Sequence, residues 1–102
     1  MTTTIAGTEV SLNAEGYLTD LNQWTKEIAQ EIATTEEVTL TEKTWEVIAW
    51  IQEQYRNENP LTIRKVGKSG ITDIKEFYAL FPNGPLKKAS KIAGIPKPVS
   101  CI

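Results

Sequence analysis

The sequence contains one side chain that can act as a soft nucleophile, Cys101, and it is the second-last of 102 residues. The chain has no histidine, so it offers no imidazole general base, no imidazole metal ligand and no Ser–His or Cys–His pair. A single thiol also excludes an internal disulfide and a multi-thiolate zinc or iron–sulfur site. Thiol exchange and persulfide transfer remain possible reactions for this chain, because a thiolate can attack sulfur without other catalytic groups.

Cys101 follows two prolines, Pro96 and Pro98, that are two residues apart. Each proline fixes φ and removes an amide donor, so residues 95–102 are expected to form an extended arm rather than a helix. A stiff arm loses less conformational entropy when it carries a thiol into a partner. The alternative is an incidental cysteine on a frayed terminus, since the last residues of most domains are poorly ordered.

Charge is unevenly distributed along the chain. Residues 1–60 carry eleven acidic and three basic side chains, whereas residues 61–102 carry two acidic and eight basic ones. The basic half can make weak contact with nucleic acid, dock an acidic protein, or complement the acidic half within the fold. Within it, Arg64, Lys91 and Lys97 are the candidates for docking or for supporting a thiolate, because a nearby cation favours the charged form of a thiol.

The composition, with 40% hydrophobic and 24% charged residues, is typical of one globular domain of this length. The first residues have no basic region followed by an apolar run, so we expect no signal peptide. No apolar stretch approaches the length of a membrane span, and a lone reduced thiol fits the cytoplasm. The acidic residues are scattered, so we expect neither a metal nor a cofactor.

The pattern of residues predicts a small α+β fold in one domain over 1–102. Residues 1–20 are expected to form a β-hairpin or meander, because 8–12 and 17–19 read as extended segments on either side of a turn at 13–16. Residues 21–94 are expected to form a helical body of about five helices, and residues 95–102 a mobile arm.

Helices are predicted where apolar residues recur at three- and four-residue steps. In the first helix, Leu21, Trp24, Ile28 and Ile32 would share one face. The expected helix boundaries are Asp20 or Asn22 and then Thr41 and Thr72 as N-caps, with Pro85 and Gly94 at the start and end of the last helix.

The aromatic side chains could form a base-stacking surface, but their helical spacing favours the core. Trp50 lies off the main stripe and is the best candidate for partial exposure. The full set is Trp24, Trp45, Trp50, Tyr55, Phe77, Tyr78 and Phe81.

Two runs in the C-terminal half, LFPNGP at 80–85 and ASKIAGIPKPVSCI at 89–102, resemble the signature of the DsrC/TusE family of sulfur-relay proteins. The N-terminal half is similar to the family as well, through EGYL at 15–18, LTE at 40–42 and WEVI at 45–48. The resemblance covers nearly the whole chain, and the Pro-Lys-Pro-x-x-Cys-x ending is its most specific part.

The resemblance implies a helical α+β body with a mobile C-terminal arm, whose penultimate cysteine carries a persulfide. That role transfers to Cys101. Family members that act with dissimilatory sulfite reductase have a second cysteine eleven residues earlier, where this chain has Ser90. The resemblance therefore favours the single-cysteine branch, a sulfurtransferase that takes sulfur from an upstream donor protein and passes it to the enzyme that forms 2-thiouridine in tRNA.

The chain departs from the family pattern at two positions in the second helix. Thr44 stands where the family often has histidine, and Gln52 where it usually has arginine. We expect both to lie where a partner or the docked arm would touch, which leaves the donor and the acceptor open. The alternative functions are a regulatory or binding module for nucleic acid or protein, with Cys101 as a redox or sulfur sensor, and an accessory subunit of a reductase.

Overall fold

The computed structural model describes residues 2–96. Met1 and residues 97–102 lie outside the described part, and with them most of the predicted arm, including Lys97, Pro98 and Cys101. The expected α+β class is confirmed: a two-stranded hairpin precedes five α-helices. The elements are β1 (Thr2–Ile5), β2 (Thr8–Ser11), a 3₁₀ turn (Leu21–Gln23), α1 (Lys26–Thr35), α2 (Glu42–Arg56), α3 (Ile63–Gly67), α4 (Ile74–Leu80) and α5 (Pro85–Ala93).

The hairpin lies earlier in the chain than its sequence pattern predicts. β1 and β2 pair antiparallel, with Thr2 opposite Ser11, and are joined by Ala6 and Gly7. Both joining residues have positive φ, 52° and 79°, which is the backbone of a tight two-residue hairpin turn. The alternating residues 8–11 therefore pair with the preceding threonine-rich segment rather than with residues 17–19.

The predicted turn at 13–16 is present, but it does not join two strands. The side-chain oxygen of Asn13 accepts hydrogen bonds from the amides of Glu15 (2.9 Å) and Tyr17 (3.0 Å), which closes the turn locally. Beyond it the chain makes a single β-bridge, between Leu12 and Leu18. This segment brings the buried side chain of Leu18 to the helical core.

The first predicted helix is divided into two elements. Asp20 caps the 3₁₀ turn, as expected, but the chain is extended again at Trp24 (φ −73°, ψ 139°). Thr25 then begins α1 by accepting a hydrogen bond from the amide of Ile28 at 3.2 Å. The predicted start of the helix, with Leu21 and Trp24 on its apolar face, was therefore wrong, because Thr25 supplies a later N-cap.

The N-cap of α2 is confirmed, whereas that of α4 moves by one residue. Thr41 accepts from the amide of Thr44 at 3.4 Å. In α4 it is Asp73 that accepts from the amide of Glu76, at 2.7 Å, so the prediction of Thr72 as the cap was wrong. The Thr72 hydroxyl instead donates to the Glu76 carboxylate, which leaves the helix terminus to the stronger, charged acceptor.

The last helix, α5, packs against α1 and α2 and contributes much of the core. It begins at Pro85 and ends at Gly94, as predicted. Leu86, Ala89 and Ile92 are fully buried. The buried residues of α5 form one broad face that contacts both α1 and α2, and its three lysines lie on the opposite side.

The aromatic residues divide between core and surface. Phe77 and Phe81 are buried and meet edge to face, with ring centroids 5.5 Å apart. Trp50 is half-buried, as expected, but so are the other two tryptophans. The core placement of Tyr55 and Tyr78 was wrong, since they are 42% and 45% exposed. Phe77 on α4 and Phe81 directly after it are turned inward, so Tyr78 faces solvent. Tyr55 lies in the last turn of α2. No helix within residues 2–96 is long and apolar enough to cross a membrane.

The position of α5 in the core predicts a sharp contrast between two neighbouring substitutions. Leu86→Ala should lower the free energy of unfolding by about 2–5 kcal/mol, because it removes fully buried methyl groups and leaves a cavity. Lys87→Ala, next along the same helix but exposed, should change it by less than about 0.5 kcal/mol. Urea denaturation followed by circular dichroism measures both, and equal losses would contradict the central role of α5.

Candidate functional site

The described part of the predicted site is the root of the arm, where α5 ends. Pro96 is exposed and is the last residue that the structure describes. Lys97, Pro98 and Cys101 were predicted to form the arm and its thiol, and they lie outside the described residues. The structure therefore describes this site through the residues that hold the start of the arm.

Two side chains from elsewhere in the body bond the last carbonyls of α5. The indole Nε1–H of Trp24 donates to the carbonyl oxygen of Ile92 at 2.8 Å. The amide Nε2–H of Gln52 donates to the carbonyl oxygen of Ala93 at 2.7 Å. The last carbonyls of a helix have no partner within the helix, and a buried carbonyl without one is costly. Trp24 and Gln52, which we call the α5 clamp, remove that cost and fix the end of the helix.

The backbone closes the same helix end with a Schellman motif. The amide of Gly94 donates to the carbonyl of Lys91, and the amide of Ile95 donates to the carbonyl of Ser90, both at 3.2 Å. This pair of bonds requires a left-handed residue at the junction, and Gly94 has φ 76°. The side chain of Ile95 is buried beyond it. The chain is therefore held in one direction up to Ile95.

Gly94 is required for a second, steric reason. A Cβ atom at this position would lie 2.5 Å from Cδ1 of Trp24, which is closer than carbon atoms approach in proteins. The indole thus packs on the face of the glycine while its N–H reaches Ile92. The α5 clamp and the glycine depend on each other.

The basic candidates for supporting the thiolate lie on different helices. Lys91 is half-buried on α5, with its Nζ 3.8 Å from a carboxylate oxygen of Glu36 and 5.3 Å from the ring centroid of Tyr17. Arg64 is exposed on α3, which packs against α4. Lys91 therefore already interacts within the body, where it links α5 to the residue that ends α1. A role for either residue at Cys101 stays a prediction.

The side chains at the two departures in α2 are both buried. Thr44 is fully buried, and its hydroxyl lies 3.0 Å from that of Thr41 and donates to the Thr39 carbonyl at 3.3 Å. Gln52 is 6% exposed and belongs to the α5 clamp. Thr44 is thus closed off from a partner, contrary to expectation, whereas Gln52 also lines a surface cleft, and contact of either residue with a partner-bound or docked arm stays a prediction. A polar residue within the apolar stripe of α2 is the signal in the sequence for such a buried hydrogen bond.

Ser90 occupies the position of the second cysteine found in part of the family. Its side chain is fully buried on α5, and its Oγ has no hydrogen-bond partner among the described residues. Its carbonyl is used in the Schellman motif. No group of three or more Cys, Asp or Glu side chains within residues 2–96 is arranged to hold a metal ion.

The described site is thus a helical body that fixes the start of the segment leading to Cys101, and comparison with known proteins gives its family. A family model described as "DsrC like protein" matches residues 4–102. The chain belongs to the DsrC-like family. This confirms the family that the sequence motifs indicate.

The similarity extends to named relatives and to solved structures. The chain is 45% identical to Sulfurtransferase TusE of Photorhabdus laumondii, over 94% of both chains. It is 39% identical to Sulfurtransferase TusE of Escherichia coli, over 94% of this chain and 95% of the relative. The NMR structure of DsrC from Allochromatium vinosum superposes with a TM-score of 0.82 at 34% identity and covers 99% of this chain and 97% of its own. Family and relatives together support a sulfur-relay function.

The steric part of the α5 clamp can be measured with two glycines. Gly94→Ala should lower the free energy of unfolding by at least about 2 kcal/mol, because it combines positive φ with a collision against Trp24. Gly70 has a similar φ of 83° but open space around it, so Gly70→Ala should cost about 1 kcal/mol. Chemical denaturation gives both values. A Gly94→Ala loss no larger than that of Gly70→Ala would show that the indole does not depend on the glycine.

Proposed function

We propose that Cys101 accepts a sulfane sulfur as a persulfide and passes it to an acceptor enzyme that forms 2-thiouridine in tRNA. The observation that carries the proposal is the anchored arm root, which leads from Gly94 and Ile95 into the Pro-Lys-Pro segment and the one cysteine of the chain. Membership of the DsrC-like family and the sulfurtransferase names of the relatives support it.

The transfer needs no oxidant and no general base. In the first step the Cys101 thiolate attacks the terminal sulfur of a donor persulfide, the donor S–S bond breaks, and the donor leaves as a thiolate. In the second step a cysteine thiolate of the acceptor attacks the terminal sulfur on Cys101, which leaves as a thiolate in its turn. Each step exchanges one S–S bond for another, so a chain without histidine is chemically adequate for it.

The presence of one cysteine supports transfer between proteins. With Ser90 at the position of the second cysteine, the chain has no internal thiol to displace the sulfur from Cys101. The persulfide is then discharged by the thiol of another molecule. The partners are an upstream sulfur-donor protein and the downstream tRNA-thiolating enzyme, and turnover requires both.

We expect an extended arm to reach far enough to deliver its sulfur into a neighbouring protein. Cys101 is five residues beyond Pro96, and at the spacing of an extended polyproline segment these residues span roughly 15 Å. Pro98 stiffens this part, and Pro96 follows directly on the buried Ile95. We propose that Lys97 and Lys91 favour the thiolate electrostatically or assist docking, and that Arg64 contributes to docking.

The persulfide is tested by intact-protein mass spectrometry after incubation with inorganic polysulfide or a persulfidated donor protein. The wild-type chain should gain about 32 Da, one sulfur atom, and lose it on treatment with a reductant. Cys101→Ser should gain nothing. A wild-type chain that takes no sulfur from either source would overturn the proposal.

The pathway is tested in cells. Replacing the native gene by one that encodes Cys101→Ser should abolish or strongly reduce 2-thiouridine in tRNA, measured by chromatography and mass spectrometry of digested tRNA. Ser100→Ala, next to the cysteine but without a thiol to lose, is the matched control and should leave the modification near its normal level. A persulfide that forms on Cys101 while tRNA thiolation is unchanged in the Cys101→Ser strain would assign the carrier to another acceptor.

A further inference from the structure

All three tryptophans of the chain are half-buried, and they line two adjoining clefts along α2. Trp24 and Trp45 line a cleft of about 490 Å³, and Trp50 lines one of about 310 Å³. The two clefts share Glu46 and Ala49, so they form one continuous surface. We call it the tryptophan face, and its lining residues are Trp24, Lys26, Glu42, Trp45, Glu46, Ile48, Ala49, Trp50, Gln52, Glu53 and Ile71.

The tryptophan face has the composition of a protein-binding surface. Large amphipathic rings that are held in place but left partly uncovered are typical anchors of protein interfaces. The rings lie on either side of Ala49, a small exposed residue on α2 that leaves room for an incoming side chain. The backbone beneath belongs to a fifteen-residue helix, so the surface is preorganised.

The rim of the tryptophan face carries more carboxylates than lysines. Glu42, Glu46 and Glu53 are exposed along α2. Of the lysines nearby, Lys43 is 3.5 Å from Glu46 and donates to the Ile71 carbonyl at 2.8 Å, and Lys26 lies 5.9 Å from the centre of the Trp45 ring. The acidic half of the chain thus places carboxylates around an apolar surface, which favours a partner with basic residues around an apolar contact.

The tryptophan face is continuous with the root of the arm. Trp24 and Gln52 line its larger cleft, and the same two side chains bond the carbonyls of Ile92 and Ala93 at the end of α5. A protein that covers this cleft would therefore contact the residues that set the direction in which the arm leaves the body.

We propose that the tryptophan face docks the tRNA-thiolating acceptor enzyme, an inference that rests on the function proposed above. An enzyme that thiolates tRNA has to present lysine and arginine side chains near its active site, because it neutralises the phosphates of its substrate there. The arm delivers sulfur to that same region, so the body beside the arm root faces a basic surface. The carboxylates around the half-buried tryptophans are complementary in charge to such a basic surface.

The inference is tested with the full-length chain and the purified acceptor enzyme, by biolayer interferometry at low and high salt. The variants are Ala49→Lys, which fills the junction of the two clefts, and Glu46→Lys, which reverses charge at the rim. Both positions are exposed on a helix, where lysine is well tolerated, and circular dichroism checks the fold. Ala79→Lys, the same substitution at an exposed position of α4 that lines neither cleft, is the matched control.

Ala49→Lys and Glu46→Lys should each raise the Kd for the acceptor at least tenfold, and Ala79→Lys less than twofold. Salt should weaken the wild-type complex more than that of Glu46→Lys. Loading of Cys101 by inorganic polysulfide should be equal in all four proteins, because it needs no docking.

Three results would overturn the inference: wild-type affinity of Ala49→Lys for the acceptor, a defect confined to loading by the sulfur-donor protein, or a defect confined to self-association of the chain. The proposed function is tested by a different measurement, mass spectrometry of the wild-type chain. It is contradicted if that chain gains no sulfur from polysulfide or from a donor protein.

Discussion

The structure depends on how the C-terminal end of its most buried helix is satisfied. Helix α5 ends inside the body, and its terminal carbonyls would remain unpaired in a dry environment without the side chains of Trp24 and Gln52. These two donors come from separate parts of the chain, one before α1 and one within α2. Their hydrogen bonds therefore hold three elements in register at the point where the arm begins.

The rest of the body fixes α5 along its length. Lys88 donates to the carbonyl of Glu36 at 2.9 Å, and Lys91 approaches the Glu36 carboxylate, so the end of α1 is tied to the middle of α5. Apolar packing against α1 and α2 contributes most of the burial. The helical body thus provides orientation, while the proposed chemistry needs one sulfur atom and the thiols of two partners.

Local signals in the sequence predicted the ends of helices well where a single residue type decides the geometry. Thr41 and Gly94 were identified correctly, because an N-cap hydroxyl and a left-handed glycine act within a few residues of themselves. The same reasoning misplaced the starts of α1 and α4. Asp73 lies next to the predicted cap Thr72, whereas Thr25 lies five residues beyond Asp20, which caps a separate 3₁₀ turn.

Interactions between distant residues were beyond what the sequence pattern could supply. The α5 clamp joins Trp24 to a residue 68 positions away and Gln52 to one 41 positions away, so no periodicity reveals it. The predicted hairpin was wrong because residues 8–11 have a possible partner strand on each side, at 2–5 and at 17–19. The tight turn at Ala6 and Gly7 favours pairing with residues 2–5. The persulfide role predicted for Cys101 depends on the family motif. The composition of the chain excludes catalysis that needs histidine or a second thiol, and it does not indicate a particular reaction.

The step from the buried Ile95 to the exposed Pro96 also has a mechanical meaning. A pull applied to the chain beyond Pro96 would pass along the backbone to this point. To draw the chain out, the pull would have to expose the buried side chain of Ile95 and break the two hydrogen bonds around Gly94. Such a pull would therefore act first on the base of the arm, ahead of the turns of α5.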